Sequence, residues 1–389
     1  MRMIICGDTH IGAVFGLGRP NGKGSNTRVD DYESTFNSIV DHAINTKADI
    51  FIQTGDIFES RNPSVEHMNV VDKALRRLSN ENIATFVIMG NHDYKKSGSS
   101  FTSSITSLAS ADYPNVRMLI DPEVIQVCNS SNEKVNILLL PYRDRKMYKG
   151  QSVKDQSDGY NDEVTSLISS ADSDIPLVAV GHNFFYEGSY NDYGGTEILT
   201  NPRAFDGVDL VVMGHLHQFR VLRKRAPVCV YSGSMEKTNF GDSNVDKYYI
   251  DYNVLNKKIK FCKTKTRDLV DESFDLTGVG FADVCNRVEE ELEASSFEGK
   301  IVRLKLVVDE KVLPVLDSSS IETALYGHGA FYVSKVIIEP ISQRIVRDSA
   351  ILSHEDDYEM FEAFLGSQNI DLESKELLLT EAKEIMGKI

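Results

Sequence analysis

Apolar runs of strand length fall near residues 2–6, 49–53, 84–89, 116–120, 135–140, 176–180 and 208–213. Between the early runs the period changes. Tyr32, Phe36, Ile39, Val40, Ala43 and Ile44 recur at helical spacing, as do Val65, Met68, Val71, Leu75 and Leu78. Strand and helix in alternation predict a layered α/β fold. Later runs at Val228–Tyr231, 248–252 and 258–262 come without helices between them, which predicts a mixed sheet. Residues 15–31, rich in Gly and Asn, read as a long loop. From about residue 268 the pattern restarts, with a helix near 281–296, a strand over 301–308, a helix near 320–326 and a strand over 331–339. That is a small α/β cap. A polar connection after Pro340 leads to two acidic amphipathic helices, roughly 355–366 and 372–386. Tyr358, Phe361 and Leu365 line the first; Leu378, Ala382 and Ile385 line the second. The pattern divides the chain into 1–267, 268–340 and 341–389, with no internal repeat.

The ends of the apolar runs carry the chemistry. The first ends in Asp8 and His10, the second in Gly55 and Asp56, the third in Asn91, His92 and Asp93. Two later runs end in His182 and in His215 with His217. Open α/β sheets place their sites beyond the carboxyl ends of their strands, so these polar tips predict one shared site. Asp8 and His10 are two residues apart, as are His215 and His217, and alternation along extended chain turns each pair to one side. Oxygen and imidazole donors with no cysteine among them suit manganese, iron or zinc, manganese best if the coordination is octahedral. Two divalent ions against two carboxylates leave a residual charge of about +2, which attracts a phosphoester. His92, directly after Asn91, has the chemistry to protonate a leaving oxygen.

Composition adjusts this picture. The chain has 389 residues, 41% of them apolar and 26% charged, as expected of a globular protein. No apolar run approaches the roughly 18 residues of a membrane span. A four-residue run from Met3 to Cys6 followed by Asp8 is no signal peptide. Five scattered cysteines read as reduced core residues of a cytoplasmic protein. A net charge of −16 argues against a uniformly nucleic-acid-binding surface. Cations are nevertheless grouped: Arg143, Arg145, Lys146 and Lys149; Arg220, Arg223, Lys224 and Arg225; and the run from Lys257 and Lys258 to Arg267. Of nine histidines, five lie in the motifs; His42, His67, His328 and His354 are expected to be structural or solvated.

The ordered set DTH, GDIF, GNHD, GHN and GHLH resembles the calcineurin-like metallophosphoesterase superfamily over most of residues 1–240. Within it the opening GDTHIG, the LLPYR of 139–143 and the YSGSMEKTNF of 231–240 resemble the nuclease subunits of SbcCD-type DNA repair complexes. The resemblance implies a four-layer α/β/β/α sandwich with a small α/β cap and C-terminal helices. It implies that Asp8, His10, Asp56 and His217 hold one metal and that Asp56, Asn91, His182 and His215 hold a second. Asp56 would bridge, and His92 would donate the proton. The implied activity is a manganese-dependent DNA nuclease with two ions per subunit, magnesium, iron or zinc being alternatives. It would remove nucleotides from the 3′ ends of duplexes and nick single strands, its partners being DNA ends and single-stranded DNA. The implied assembly is a homodimer that binds an SMC-like ATPase through residues 341–389. One position departs from the pattern. Many relatives carry a second catalytic histidine three residues after the bridging aspartate; here that residue is Glu59, which puts the balance of exonuclease and endonuclease activity in question.

Two other functions fit the same motifs. A protein or nucleotide phosphatase is one, although Ser60 follows Glu59 where phosphatases of the superfamily carry Arg. A catalytically weak scaffold that holds DNA ends for the ATPase is the other.

Overall fold

The computed structural model describes residues 1–22, 24–97, 100–109, 111, 113–185, 197–341, 357–367 and 372–386. Two six-stranded mixed sheets form its centre. In the first, the strands Arg2–Cys6, Ile50–Gln53, Ala84–Ile88 and Val116–Leu119 run parallel, and Tyr248–Asn253 and Lys258–Lys263 extend the Arg2–Cys6 edge antiparallel. In the second, Lys134–Leu140, Leu177–Gly181, Leu210–Met213 and Val228–Tyr231 run parallel between the antiparallel edges Glu123–Cys128 and Arg220–Arg223.

Period-two alternation decides how the sheets stack. Ile5, Ile50, Ile52, Phe86 and Ile88 of the first sheet interlock with Val135, Ile137, Val178, Val180, Leu210 and Val212 of the second. The opposite face of the first sheet, with Ile4, Phe51 and Val87, is covered by the helices Thr27–Asn45 and Val65–Asn80. The outer face of the second is covered by Val153–Ser170, through Tyr160 and Val164. The result is the four-layer α/β/β/α sandwich.

Most predicted elements stand within a few residues of their expected bounds. The expected loop over 15–31 is shorter, because Asn26 accepts a hydrogen bond from the Arg28 N–H at 2.8 Å and starts the helix at Thr27. The helix Val153–Ser170 and the strands Glu123–Cys128, Arg220–Arg223 and Leu269–Asp275 were not anticipated by periodicity. The cysteines are all free, but only Cys6, Cys229 and Cys262 are buried. Cys128 and Cys285 are exposed, which corrects the expectation of five core residues.

Beyond residue 268 a three-stranded parallel sheet, Leu269–Asp275, Ile301–Val308 and Tyr332–Pro340, packs with the helices Val284–Ala294 and Ser318–Gly327 around its own core. Its first strand abuts the sandwich. The Arg267 guanidinium lies 3.6 Å from the Phe331 ring centre and pairs with Asp31 at 2.7 Å. The helices Asp357–Ser367 and Leu372–Met386 follow, with Leu365 and Ala382 buried. The connection after Pro340, including His354, lies outside the described residues. No helix of the described residues is long and apolar enough to cross a membrane.

Candidate metal centre

Five parallel strands, three from the first sheet and two from the second, point their carboxyl ends to one place. Asp8 and His10 follow Arg2–Cys6, Asp56 follows Ile50–Gln53, and Asn91 and His92 follow Ala84–Ile88. His182 follows Leu177–Gly181, and His215 and His217 follow Leu210–Met213. Asp8, His10, Asp56 and His182 are buried; Asn91, His92, His215 and His217 are half-buried.

Their donor atoms meet in two groups. Asp8, His10 and His217 form one, Asp56, His182 and His215 the other, each with ligand atoms within 4.8 Å of one another. In the first, Nε2 of His10 lies 2.9 Å from Nε2 of His217. In the second, Nε2 of His182 lies 2.9 Å from Asn91 Oδ1 and 3.3 Å from Asp56 Oδ2. The same Asp56 oxygen is 3.9 Å from Nε2 of His10, so this carboxylate stands between the groups.

The loops reach this place under constraint. His10, Asp56 and His215 have positive φ of 42°, 50° and 78°. For residues with a Cβ such conformations cost about 1–3 kcal/mol each and persist only where the surroundings impose them. The glycines that end the apolar runs answer a packing demand. A Cβ on Gly90 would lie 2.1 Å from Asp56 Oδ1, and one on Gly214 would lie 2.5 Å from Asp8 Oδ1.

Several residues that carried no assigned role hold the donors in place. Asp93 is fully buried and accepts from the N–H groups of Gly90, Ile57 and Phe58 at 3.0, 3.2 and 3.3 Å, tying the Asp56 loop to the Asn91 loop. Its place inside GNHD was the available signal. The Thr54 carbonyl accepts from His182 Nδ1 at 2.8 Å and so fixes Nε2 toward the site. Lys247, fully buried, donates to the His217 carbonyl at 2.9 Å and pairs with Asp242. A backbone carbonyl and a lone lysine leave no trace in a motif. The Ser232–Met235 segment joins in: the Met235 N–H donates to the Asp8 carbonyl and the Ser234 N–H to that of His217, each at 3.1 Å.

Burial and neighbouring charge shift these groups in opposite senses. Burial pushes the Asp8 carboxyl up to about 7, against the pull of His182. Asp56 is buried as well, yet His182 and His10 hold it well below the usual carboxylate range. Burial lowers His215 to about 3 and His217 to about 4, reinforced by the neighbouring His182 and His10 respectively, so both rings are neutral with a lone pair to offer.

A divalent metal fits this donor set. His215 Nε2 is buried without a hydrogen-bond partner, a state that costs about 1–3 kcal/mol for a polar atom unless something occupies its lone pair. Oxygen and imidazole donors with no cysteine in either group match borderline or hard cations.

His92 sits at the mouth, with its side chain 36% exposed. Its N–H donates to Asp56 Oδ1 at 2.8 Å, and its Nδ1 lies 3.0 Å from the Glu59 carbonyl. Glu59 itself lies beside His10. The candidate phosphate-binding cations are more dispersed. Arg143 is buried against Asp121 and the Ile120 carbonyl. Arg145 is half-buried and Lys146 exposed on the short turn beyond it. Arg220 and Lys258 are exposed on the edge strands of the two sheets. Lys257 is exposed and paired with Asp209 at 2.6 Å.

A family model of calcineurin-like phosphoesterases matches residues 1–219. Among curated proteins, the DNA double-strand break repair protein Mre11 of Methanosarcina mazei is 23% identical over 251 residues, 64% of this chain and 36% of that protein. The chain thus matches about a third of that relative's length. Among solved structures, a protein of Thermus thermophilus aligns over 67% of this chain and 98% of its own, at TM-score 0.39 and 11% identity. A dimetal phosphatase from Danio rerio aligns over 68% and 96%, at TM-score 0.42 and 9% identity.

Proposed function

The chain belongs to the calcineurin-like phosphoesterase family, hydrolases of phosphoesters, and from that premise we propose that it is a manganese-dependent DNA nuclease. The observation that carries the reading is the meeting of two donor groups around a shared Asp56. Asp8, His10, Asp56 and His217 would hold one ion; Asp56, Asn91, His182 and His215 would hold the other. Two divalent ions there would supply Lewis-acid activation of a phosphodiester and a water nucleophile near neutral pH.

The chain's own residues do the rest. Asp56 stands between the groups and would serve both. Asp93 and the Thr54 carbonyl lock the loops and one ring orientation before substrate arrives. Nδ1 of His92 is turned to the Glu59 carbonyl, so Nε2 is the atom that passes a proton to the leaving oxygen. Its exposure lets it recover that proton from solvent.

The choice of DNA rests on the likeness to Mre11, a protein named for double-strand break repair, and on the cations around the sandwich edges. Arg220 and Lys258 lie on edge strands brought side by side, with the Phe219 and Phe261 rings 4.9 Å apart; Arg145, Lys146 and Lys257 are further candidates. By the same reading 268–340 is a DNA-facing cap on the nuclease unit 1–267. Residues 341–389 dock an SMC-like ATPase, and the active form is a homodimer that trims 3′ duplex ends and nicks single strands.

The test is cleavage of end-labelled DNA with manganese, comparing the wild type with Asp56→Ala and His92→Ala, alongside bis-aryl and mono-aryl phosphates. Manganese-dependent cutting that both substitutions suppress is expected. Hydrolysis of the monoester alone would discard the nuclease and leave a phosphatase.

A further inference from the structure

Glu59 lies at the site, but neither the two donor groups nor the proton transfer assigned to His92 uses its chemistry. It is also where it is for a definite reason. The segments after the first two strands of the first sheet run together as a short parallel ladder. The His10 N–H donates to the Asp56 carbonyl at 2.9 Å, Ile11 to Ile57 at 2.8 Å, and Glu59 back to Ile11 at 3.3 Å. That ladder sets residue 59 against the ring of residue 10.

Nδ1 of His10 and Oε2 of Glu59 face each other at 2.8 Å, and neither has another hydrogen-bond partner. The other nitrogen of the same ring, Nε2, points to His217 and Asp56. An imidazole that offers a lone pair on Nε2 must carry its proton on Nδ1, and a carboxylate there selects that tautomer and holds the ring plane. The backbone of the same residue engages the neighbouring histidine, since the Glu59 carbonyl takes Nδ1 of His92 at 3.0 Å. The two rings stand edge to face, their centres 5.0 Å apart.

We infer that Glu59 is a positioning residue whose carboxylate fixes the tautomer and orientation of His10 for metal binding, while its carbonyl orients His92. The inference rests on the two-metal reading of the site. It assigns position 59 a role different from proton transfer. The side chain acts on the Asp8, His10 and His217 group, whereas the carbonyl contact to His92 survives any substitution of that side chain.

The experiment titrates the full-length protein with manganese alone by calorimetry, for wild type, Glu59→Ala and Glu59→Gln. The wild type is expected to bind two ions. Glu59→Ala should weaken one of them by about 10- to 100-fold and leave the other unchanged, the usual size of an effect behind a ligating histidine. Glu59→Gln keeps the volume and an acceptor oxygen, so it should restore most of that loss and serves as the folded control. Nitrogen-15 spectra of the histidine rings should show His10 protonated on Nδ1 in the wild type and a mixed tautomer in Glu59→Ala.

Failure of the wild type to bind manganese would overturn the two-metal reading itself. Two ions with unchanged affinity in Glu59→Ala would overturn the inference and spare that reading. Loss of a third ion in Glu59→Ala would make Glu59 a ligand and overturn it too. Unchanged manganese affinity together with a lost limb of the pH–rate profile would make Glu59 a proton-transfer group instead.

Discussion

The two sheets contribute unlike halves of the site. The first brings both carboxylates and the amide, Asp8, Asp56 and Asn91, together with His10 and His92; the second brings only imidazoles, His182, His215 and His217. Yet each donor group mixes the halves: Asp8 and His10 need His217, and Asp56 needs His182 and His215. The attraction for a cation would thus come mainly from one sheet, the completion of its shell from the other. The interlocked layer between them is therefore part of the site, although none of its side chains is a donor. The small sheet beyond residue 268 is different in kind, with a core of its own that shares no buried residue with that layer.

The sharpest way to break this comparison is Asp56, the carboxylate that stands between the two groups. Asp56→Asn is expected to abolish hydrolysis and both manganese-binding events in calorimetry, whereas His217→Ala should impair chiefly one. Equal, independent losses from the two would contradict the shared carboxylate. Next in size is His92→Ala, expected to lower kcat by about 10²- to 10⁴-fold in steady-state kinetics with metal stoichiometry intact.

The role of the inter-sheet layer is tested by paired truncations. Ile52→Ala and Leu304→Ala should each cost about 2–5 kcal/mol in denaturant unfolding, since both side chains are fully buried. Only Ile52→Ala should also weaken manganese binding, because only its cavity lies between the two sheets that hold the donors. The smallest effects belong to the edges. Arg220→Gln and Lys258→Gln should each reduce the slope of log affinity against log salt by about one in DNA-binding titrations. An unchanged slope removes that residue from the interface.

The elements that periodicity missed share a physical cause. In Val153–Ser170 the buried positions are only Ser157, Tyr160 and Val164, because Phe185, Ile198, Phe205 and Val208 from other segments share the cover of that face of the second sheet. Glu123–Cys128 is an edge strand with no fully buried position. The capped start at Thr27 was hidden because Asn26 reads as loop composition until its side chain is seen to accept the Arg28 N–H.

Site chemistry was easier to read than site support. Polar residues at the ends of buried strands are costly unless they do something, so Asp8, Asp56, Asn91 and the histidines stood out along the chain. The Thr54 carbonyl and Lys247 did not, since they act on backbone or through it; Asp93 was visible inside GNHD, but its hold on the N–H groups of Gly90, Ile57 and Phe58 was not. Glu59 was visible only as a departure from a motif, and its contact with His10 depends on a ladder between two loops far apart in the chain.

The order of residues alone determined that this is a layered α/β chain with donor-bearing strand ends, because alternation and helical spacing record which side chains avoid water. The grouping of the donors and a bridging Asp56 were implied only by resemblance; the tertiary structure brought those donors together, put Asp56 between the groups and set Glu59 against His10. Those facts depend on the register and stacking of two sheets. Local pattern says that a face is buried, but not which partner buries it.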